Sequence, residues 1–155
     1  MKIKTILLMI IVLLSTGFLG VYAQHHEHMH GKHITKIIEE DKIKIVVDIM
    51  DHKAHEKMME AMKMPMQHMK HNQNHHIMIT LIDKDSGKMI EKAKIQVFLI
   101  DANNKKQTLK IHDMHHENMH HYGSHLKLKQ STKYKLNLII TIDNKKIDKT
   151  VEFQL

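Results

Sequence analysis

KYKLNLIITIDNKKIDKTVEFQL, residues 133–155, is the stretch of sequence that decides the fold class. Its first half places apolar side chains at every second position: Tyr134, Leu136, Leu138, Ile140 and Ile142. A turn signal, Asp143-Asn144-Lys145, separates these from a second apolar set: Ile147, Val151, Phe153 and Leu155. Alternation on both sides of a short polar turn is typical of a β-hairpin with one buried face. The sequence therefore predicts two antiparallel strands at this end of the chain.

The same alternation continues upstream, with turns rich in Asp, Asn and Gly between the runs. Strands are predicted near residues 34–39, 43–50, 77–81, 95–99, 109–111 and 126–128. Short strands at this spacing predict an all-β fold, an immunoglobulin-like β-sandwich. Tyr134 supports this prediction, since it follows a turn and opens a long strand, where such sandwiches carry a corner tyrosine.

One segment departs from the β pattern. Asp51 has the character of a helix N-cap, and the following DHKAHEKMMEAMKM, residues 51–64, predicts a short helix that Pro65 stops. We therefore expect a folded domain over residues 34–155 that carries a helical His/Met-rich insertion. Two His-rich loops are expected beside the strands, at residues 67–76 and 112–125.

The first 23 residues predict a secretory signal peptide. A basic start precedes the apolar run Ile6–Leu14, and small residues near Ala23 predict cleavage after it. An uncleaved membrane anchor is the alternative, but nine apolar residues fall short of the ~20 that span a bilayer. We therefore expect a periplasmic or secreted protein whose mature chain opens with a disordered His-rich tail, residues 24–33.

The composition excludes several classes of function. The 155 residues include 24 Lys, no Arg, no Cys and no Trp, at a formal net charge of +7. The lack of Cys excludes disulfides, thiolate zinc sites and thiol nucleophiles. Nucleic-acid binding is not expected, because base and phosphate readout relies on Arg and these Lys form no single stripe. Seventeen His and fourteen Met indicate a metal-binding protein instead, since imidazole binds Cu, Zn, Ni and Fe whereas thioether selects Cu(I).

The helical insertion carries two stripes of side chains. Ala54, Met58 and Ala61 share one face, and we expect this face to pack in the core. The second stripe holds candidate ligands at helical spacing: His52, His55, Met59, Met62 and Met66. At this point the second stripe is equally compatible with metal binding and with a solvated histidine edge.

Residues 112–125, HDMHHENMHHYGSH, give the strongest local metal signal, with six His and two Met. A loop of a sandwich has no packing need for these side chains. The candidate ligands in it are Met114, His115, His116, Met119, His120 and His121. One ion takes only three or four ligands, so the others would be spares or orienting groups. His75 and His76, at the start of a predicted strand, add a further pair of candidates.

These residues also carry a resemblance to known proteins. The chain resembles the periplasmic immunoglobulin-like proteins of the iron-transport family in Met114, the His121-Tyr122-Gly123 that follows after six residues, and Lys133-Tyr134 further on. It is also similar to the YtkA-like domain, and the resemblance covers roughly residues 48–155. The resemblance implies a copper site formed by Met114, His121 and His76. Met78 stands where that family tends to carry an acidic residue, and a thioether in place of a hard oxygen favours Cu(I) over iron.

The resemblance conflicts with a simple up-and-down tracing of the strands. That tracing places His76 and residues 114–121 at opposite ends of the sandwich, which predicts two separate sites. The resemblance places them around one ion, and we adopt the shared site.

The sequence thus predicts an exported, non-enzymatic protein that captures, buffers or transfers copper, as Cu(I) or Cu(II), with Zn, Ni and Fe as open alternatives. A periplasmic component of iron uptake, or an interaction module whose His/Met tracts only buffer metal, are the competing functions. A copper enzyme with a histidine at its amino terminus would require trimming to His25. A membrane metal transporter or efflux component is the expected partner, and a homodimer stays open. Copper affinity is expected to fall below about pH 6.5, the ordinary pKa of histidine.

Overall fold

A computed structural model describes residues 31–64, 72–116 and 119–155. In these ranges the chain forms nine strands and one helix: β1 (His33–Glu40), β2 (Ile43–Asp51), α1 (His52–Ala61), β3 (His75–Asp83), β4 (Lys94–Ile100), β5 (Lys106–Leu109), β6 (His112–His116), β7 (Met119–Leu126), β8 (Lys133–Ile142) and β9 (Lys145–Gln154). The predicted signal peptide, most of the predicted tail, Pro65 and Met66 lie outside the described residues.

The strands form two antiparallel sheets. One sheet has the order β1-β2-β3-β7-β6 and the other β5-β4-β8-β9. Apolar side chains from both sheets fill the space between them, with Ile79, Val97 and Leu138 fully buried. The predicted all-β, immunoglobulin-like sandwich is thereby confirmed.

The carboxy-terminal hairpin of β8 and β9 forms around the predicted turn. Ile142 pairs with Lys145, which leaves Asp143 and Asn144 as a two-residue turn. Both turn residues have positive φ, 45° and 67°, as the tight turns of twisted hairpins require and as Asp and Asn tolerate. Tyr134 also behaves as a corner tyrosine, because the Lys129 N–H donates to its hydroxyl oxygen at 2.8 Å.

Residues 112–116 and 119–125 form paired strands rather than the predicted loop, and Met114 pairs with His121. The predicted strand at 126–128 is therefore wrong, since Leu126 ends β7. The alternation was hidden because His and Met, rather than aliphatic residues, occupy one face of these strands. The predicted tail also ends earlier than expected, since His33 opens β1.

The helix lies against the face of the five-stranded sheet that points away from the other sheet. Its N-cap is Asp51 as predicted, with the Ala54 N–H donating to the Asp51 carboxylate at 2.8 Å. The helix ends at Ala61 rather than residue 64, because Lys63 takes a positive φ of 53°. Within the described residues no helix has the length and apolar character needed to cross a membrane.

The prediction of the buried helix face is confirmed for Ala54 and wrong for Met58 and Ala61. The buried helix residues are Ala54, His55 and Met59, whereas Ala61 is exposed and Met58 is half-buried. His55 turns inward because it meets other imidazole rings on the sheet, so a residue type that usually faces water is here part of the buried face.

Candidate metal centre

Strand register collects histidine and methionine on the sheet face beneath the helix. Paired residues of antiparallel strands project to the same side. One row across four strands consists of His33, Met50, His76 and His125. The next row, across all five strands, consists of Thr35, Asp48, Met78, Gly123 and His112. Side chains of the types that can bind metals thus occupy the sheet face against which α1 packs.

Three histidines from three elements meet at the centre of this surface, and we call them the three-histidine cluster: His55 on α1, His76 on β3 and His125 on β7. The ring of His55 stacks on that of His76 at 4.2 Å between centroids. His125 approaches edge-on, 4.8 Å from His76 and 5.4 Å from His55. One ligand nitrogen from each lies within 4.8 Å of the others. Metal–nitrogen bonds of ~2.0–2.1 Å would require the rings to close by less than ~1 Å.

Three buried nitrogens of this cluster have no hydrogen-bond partner within the part of the chain that the structure describes. His55 is 3% exposed and His76 is 1% exposed. Among the described residues, neither nitrogen of His76 has a hydrogen-bond partner, nor does Nε2 of His125. A buried polar atom without a partner costs ~1–3 kcal/mol. A bound metal ion would supply the missing partner, so the donor set fits a metal.

The electrostatics of the cluster keep its imidazoles neutral. Burial, reinforced by the neighbouring histidines, lowers the pKa of His76 to about 2 and that of His55 to about 4. Burial also lowers the pKa of His125 and of His121. A neutral imidazole is the form that binds metal. These side chains are therefore ready to coordinate at neutral pH without losing a proton.

Gly123 brings a thioether to the edge of the cluster. A Cβ atom at Gly123 would lie 2.2 Å from Cε of Met114 and 3.0 Å from Nε2 of His76. The Met114 methyl group and the His76 ring therefore share the space above the glycine. His121, paired with Met114 on the same face, is close enough for its charge to lower the pKa of His76 further. Register thus places His76, Met114 and His121 on one face, with Met114 next to His76. The up-and-down tracing is wrong because β3 pairs directly with β7.

Other predicted ligands lie around the cluster at varying distance. Met59 is buried one helical turn after His55, and Met62 is half-buried at the end of the helix. Met78 is half-buried one row from His76, opposite Gly123. His116 and Met119 pair at the tip of the β6–β7 hairpin, on the same face as Met114.

Four predicted ligands point elsewhere. His52 faces solvent and lies 3.1 Å from the Glu56 carboxylate. His75 projects to the opposite side of β3 from His76, where its Nδ1–H donates to the side-chain oxygen of Asn74 at 2.8 Å. His115 and His120 pair on the side of the hairpin opposite Met114. Adjacent histidines in a strand cannot share an ion on one face, because successive side chains point to opposite faces.

His125 is the member of the cluster that the sequence analysis missed as a ligand. His121, Gly123 and His125 are spaced two residues apart. In a strand over residues 119–126, this spacing places all three on the same face. The expectation of a loop removed that signal.

The fold and this site together define an immunoglobulin-like β-sandwich with a buried histidine cluster under a helical insertion. No protein-family model matches the chain, and no curated protein matches it. Among solved structures it is similar to FetP of uropathogenic Escherichia coli strain F11, expressed in the periplasm of E. coli, with a TM-score of 0.60 and 13% identity over 80% of this chain and 96% of FetP.

The fold is also similar to that of two further solved structures. A copper-bound variant of that FetP has a TM-score of 0.58 and 14% identity, over 79% of this chain and 96% of the variant. A DUF4426 family protein of Pseudomonas aeruginosa PAO1 has a TM-score of 0.54 and 10% identity, over 77% and 90%. At such identities the likeness establishes the fold alone. The resemblance to YtkA-like domains stays a prediction.

Proposed function

We propose that this protein binds copper outside the cytoplasm and captures, buffers or transfers it without catalysing a reaction. The observation that carries the proposal is the three-histidine cluster, whose buried nitrogens at His76 and His125 have no partner among the described residues. The fold likeness to FetP, of which one variant is copper-bound, adds support. The predicted signal peptide and the periplasmic expression of FetP support a periplasmic location.

The donor types favour copper, in particular Cu(I). The cluster offers imidazole, and Met114 adds a thioether beside His76, a soft ligand that selects Cu(I) over Zn, Ni or Fe. The carboxylate in the row next to that of His76 is already engaged. Asp48 accepts a hydrogen bond of 2.6 Å from the Thr35 hydroxyl and lies 2.8 Å from Nε2 of His33. A hard oxygen ligand for iron is therefore less available than nitrogen and sulfur, which weakens the iron-uptake alternative.

The burial of the site supports binding rather than turnover. Catalytic metal sites keep an open coordination position for substrate. Here α1 covers the sheet face, and His55 and His76 are almost fully buried. Release of the ion would then require the helix to move or a partner to compete for it. A membrane metal transporter or efflux component would serve as that partner in the transfer role.

The test is Cu(I) affinity by chelator competition for the wild type, His76→Gln and His125→Gln. We expect each variant to lose at least 100-fold in affinity, because even outer-shell changes cost 10–100-fold at metal sites. His52→Gln is the matched control, since His52 lies on the same helix but faces solvent, and it should keep wild-type affinity. Wild-type affinity in both cluster variants would refute the proposal.

A further inference from the structure

We propose a second metal site, on the opposite side of the β6–β7 hairpin, in which His120, Met89 and His115 bind a soft cation such as Cu(I). The register separates it from the three-histidine cluster. His115 pairs with His120, and Met114 pairs with His121, so alternate side chains of the same two strands point to opposite faces. The two sites therefore share a hairpin but no ligand.

His120 has the arrangement of a metal ligand held by a carboxylate. It is 5% exposed, and its Nε2 lies 2.7 Å from a carboxylate oxygen of Asp113. Its other nitrogen, Nδ1, is buried and has no hydrogen-bond partner among the described residues. In metalloproteins a ligating imidazole usually donates its second N–H to a carboxylate, which fixes the ring and its tautomer. Asp113 does this here, and leaves Nδ1 with its lone pair free.

Met89 brings a thioether sulfur next to the backbone of His120. The His120 backbone N–H donates to Sδ of Met89, with 3.2 Å between nitrogen and sulfur. The backbone of Met89 is held by an isolated bridge to Ile82 at the end of β3. The ring of Tyr122 packs edge-on against His120 at 4.9 Å, which further fixes the imidazole. A thioether accepts this weak hydrogen bond through one lone pair and keeps the other for a soft metal.

His115 supplies a third donor and an entrance. Its ring lies opposite that of His120, with 5.8 Å between the centroids, and its side chain is exposed. A side-chain rotation brings an imidazole nitrogen towards an ion bound at Nδ1 of His120. Because His115 and Asp113 both reach solvent, an ion enters this site without movement of α1. Two imidazoles and one thioether form a three-coordinate set suited to Cu(I).

The experiment is a Cu(I) titration of the full chain, labelled with ¹³C at the methionine methyl groups and followed by NMR. It is repeated in the double variant His76→Gln/His125→Gln, which removes two ligands of the first site. We expect the Met89 methyl resonance to shift on Cu(I) addition in both proteins. Residue-specific detection separates this binding from any binding by the His-rich tail.

Variants then identify the ligands. His120→Gln should abolish the Met89 shift, and Asp113→Asn should weaken the binding 10–100-fold, as loss of an orienting carboxylate does. Met89→Leu, which conserves volume, removes the reporting methyl group, so its effect is measured as total Cu(I) affinity by chelator competition in the His76→Gln/His125→Gln background. There it should lower the affinity, whereas the half-buried control Met58→Leu should not. If His120→Gln does not fold, Met89→Leu and Asp113→Asn still test whether the second site binds Cu(I).

A Met89 methyl resonance that stays unmoved at saturating Cu(I) in both proteins would overturn the second site. The Met114 methyl resonance reports Cu(I) binding at the first site, so the experiment tests the two sites separately. A shift at Met89 without one at Met114 would refute the first site, on which the proposed function rests, and leave the second site standing.

Discussion

Gly123→Ala tests how the first site acquires its thioether. The added methyl group would lie 2.2 Å from Cε of Met114 and 3.0 Å from Nε2 of His76. Contacts this short require one neighbour to move. The Met114 methyl is the end of a flexible side chain, whereas His76 is held between His55 and His125. We therefore expect Met114 to rotate away and the His76 ring to stay in place.

The size of the Gly123→Ala effect differs between the metal-free and the copper-bound protein. In the metal-free protein, rotation of one methionine limits the overpacking cost to the low end of the usual ~1–3 kcal/mol. In the copper-bound protein the thioether ligand is lost, for which we expect a 10–100-fold drop in Cu(I) affinity, or ~1.4–2.8 kcal/mol. Zn(II) affinity should change much less, because zinc gains little from a thioether. Chelator competition with both metals measures the difference.

A double-mutant cycle with Met114→Leu sharpens this test. Leucine conserves most of the volume but has neither the sulfur nor the terminal methyl group that meets the new Cβ. If Gly123→Ala acts through Met114, each single variant should show a similar loss of Cu(I) affinity, and the double variant should lose little more. Additive losses, or equal losses for Cu(I) and Zn(II), would show that Gly123 acts through His76 or the backbone instead.

Three further predictions concern the pH dependence of stability, the pH dependence of copper affinity, and the start of the helix. Below pH 6.5 the unfolded chain binds protons that folded His55 and His76 do not, since burial holds their pKa values near 4 and 2. The free energy of unfolding of the metal-free protein should therefore fall as the pH decreases from 6.5 towards 4, as measured by urea titration. Copper affinity, corrected for chelator protonation, should hold to about pH 5 rather than fall from 6.5; a steep loss starting at 6.5 would contradict the burial argument. Asp51→Ala removes the cap of Ala54 and the carboxylate that accepts the Lys32 N–H at 2.7 Å, so we expect a loss of ~1–2 kcal/mol in stability and weaker copper binding through a displaced His55, whereas an unchanged melting temperature would refute this role.

The sequence was sufficient for the fold where its signals agree. Residues 133–155 combine alternation with a turn whose Asp143 and Asn144 tolerate positive φ, and both strands form as predicted. At residues 112–125 the signals disagree, because six histidines give the segment the polar character of a loop and hide its alternation. Only the partner surface, here α1 and β3, makes such residues part of a buried face.

The composition of the site was partly predictable, and its assembly was not. The resemblance singled out His76, Met114 and His121, and strand register places all three on one face. The up-and-down tracing failed because β4 and β5 belong to the other sheet, so that β7 returns to lie beside β3. His55 was left between two interpretations, since helical spacing cannot say which stripe meets the sheet. That choice depends on the ring stacking with His76, a tertiary contact.

The three-histidine cluster lies outside the core between the sheets, so folding of the core does not depend on metal binding. Side chains such as Ile79 and Leu136 are fully buried between the sheets, and their burial does not depend on an ion. The buried nitrogens of His76 and His125, which have no partner among the described residues, instead reduce stability until a ligand supplies one. We therefore expect the metal-free protein to be folded with its ligands already assembled, unlike small zinc domains that unfold without metal. Copper should then raise the melting temperature by mass action on a preformed site, and most of the binding free energy should appear as affinity rather than be spent on ordering the chain.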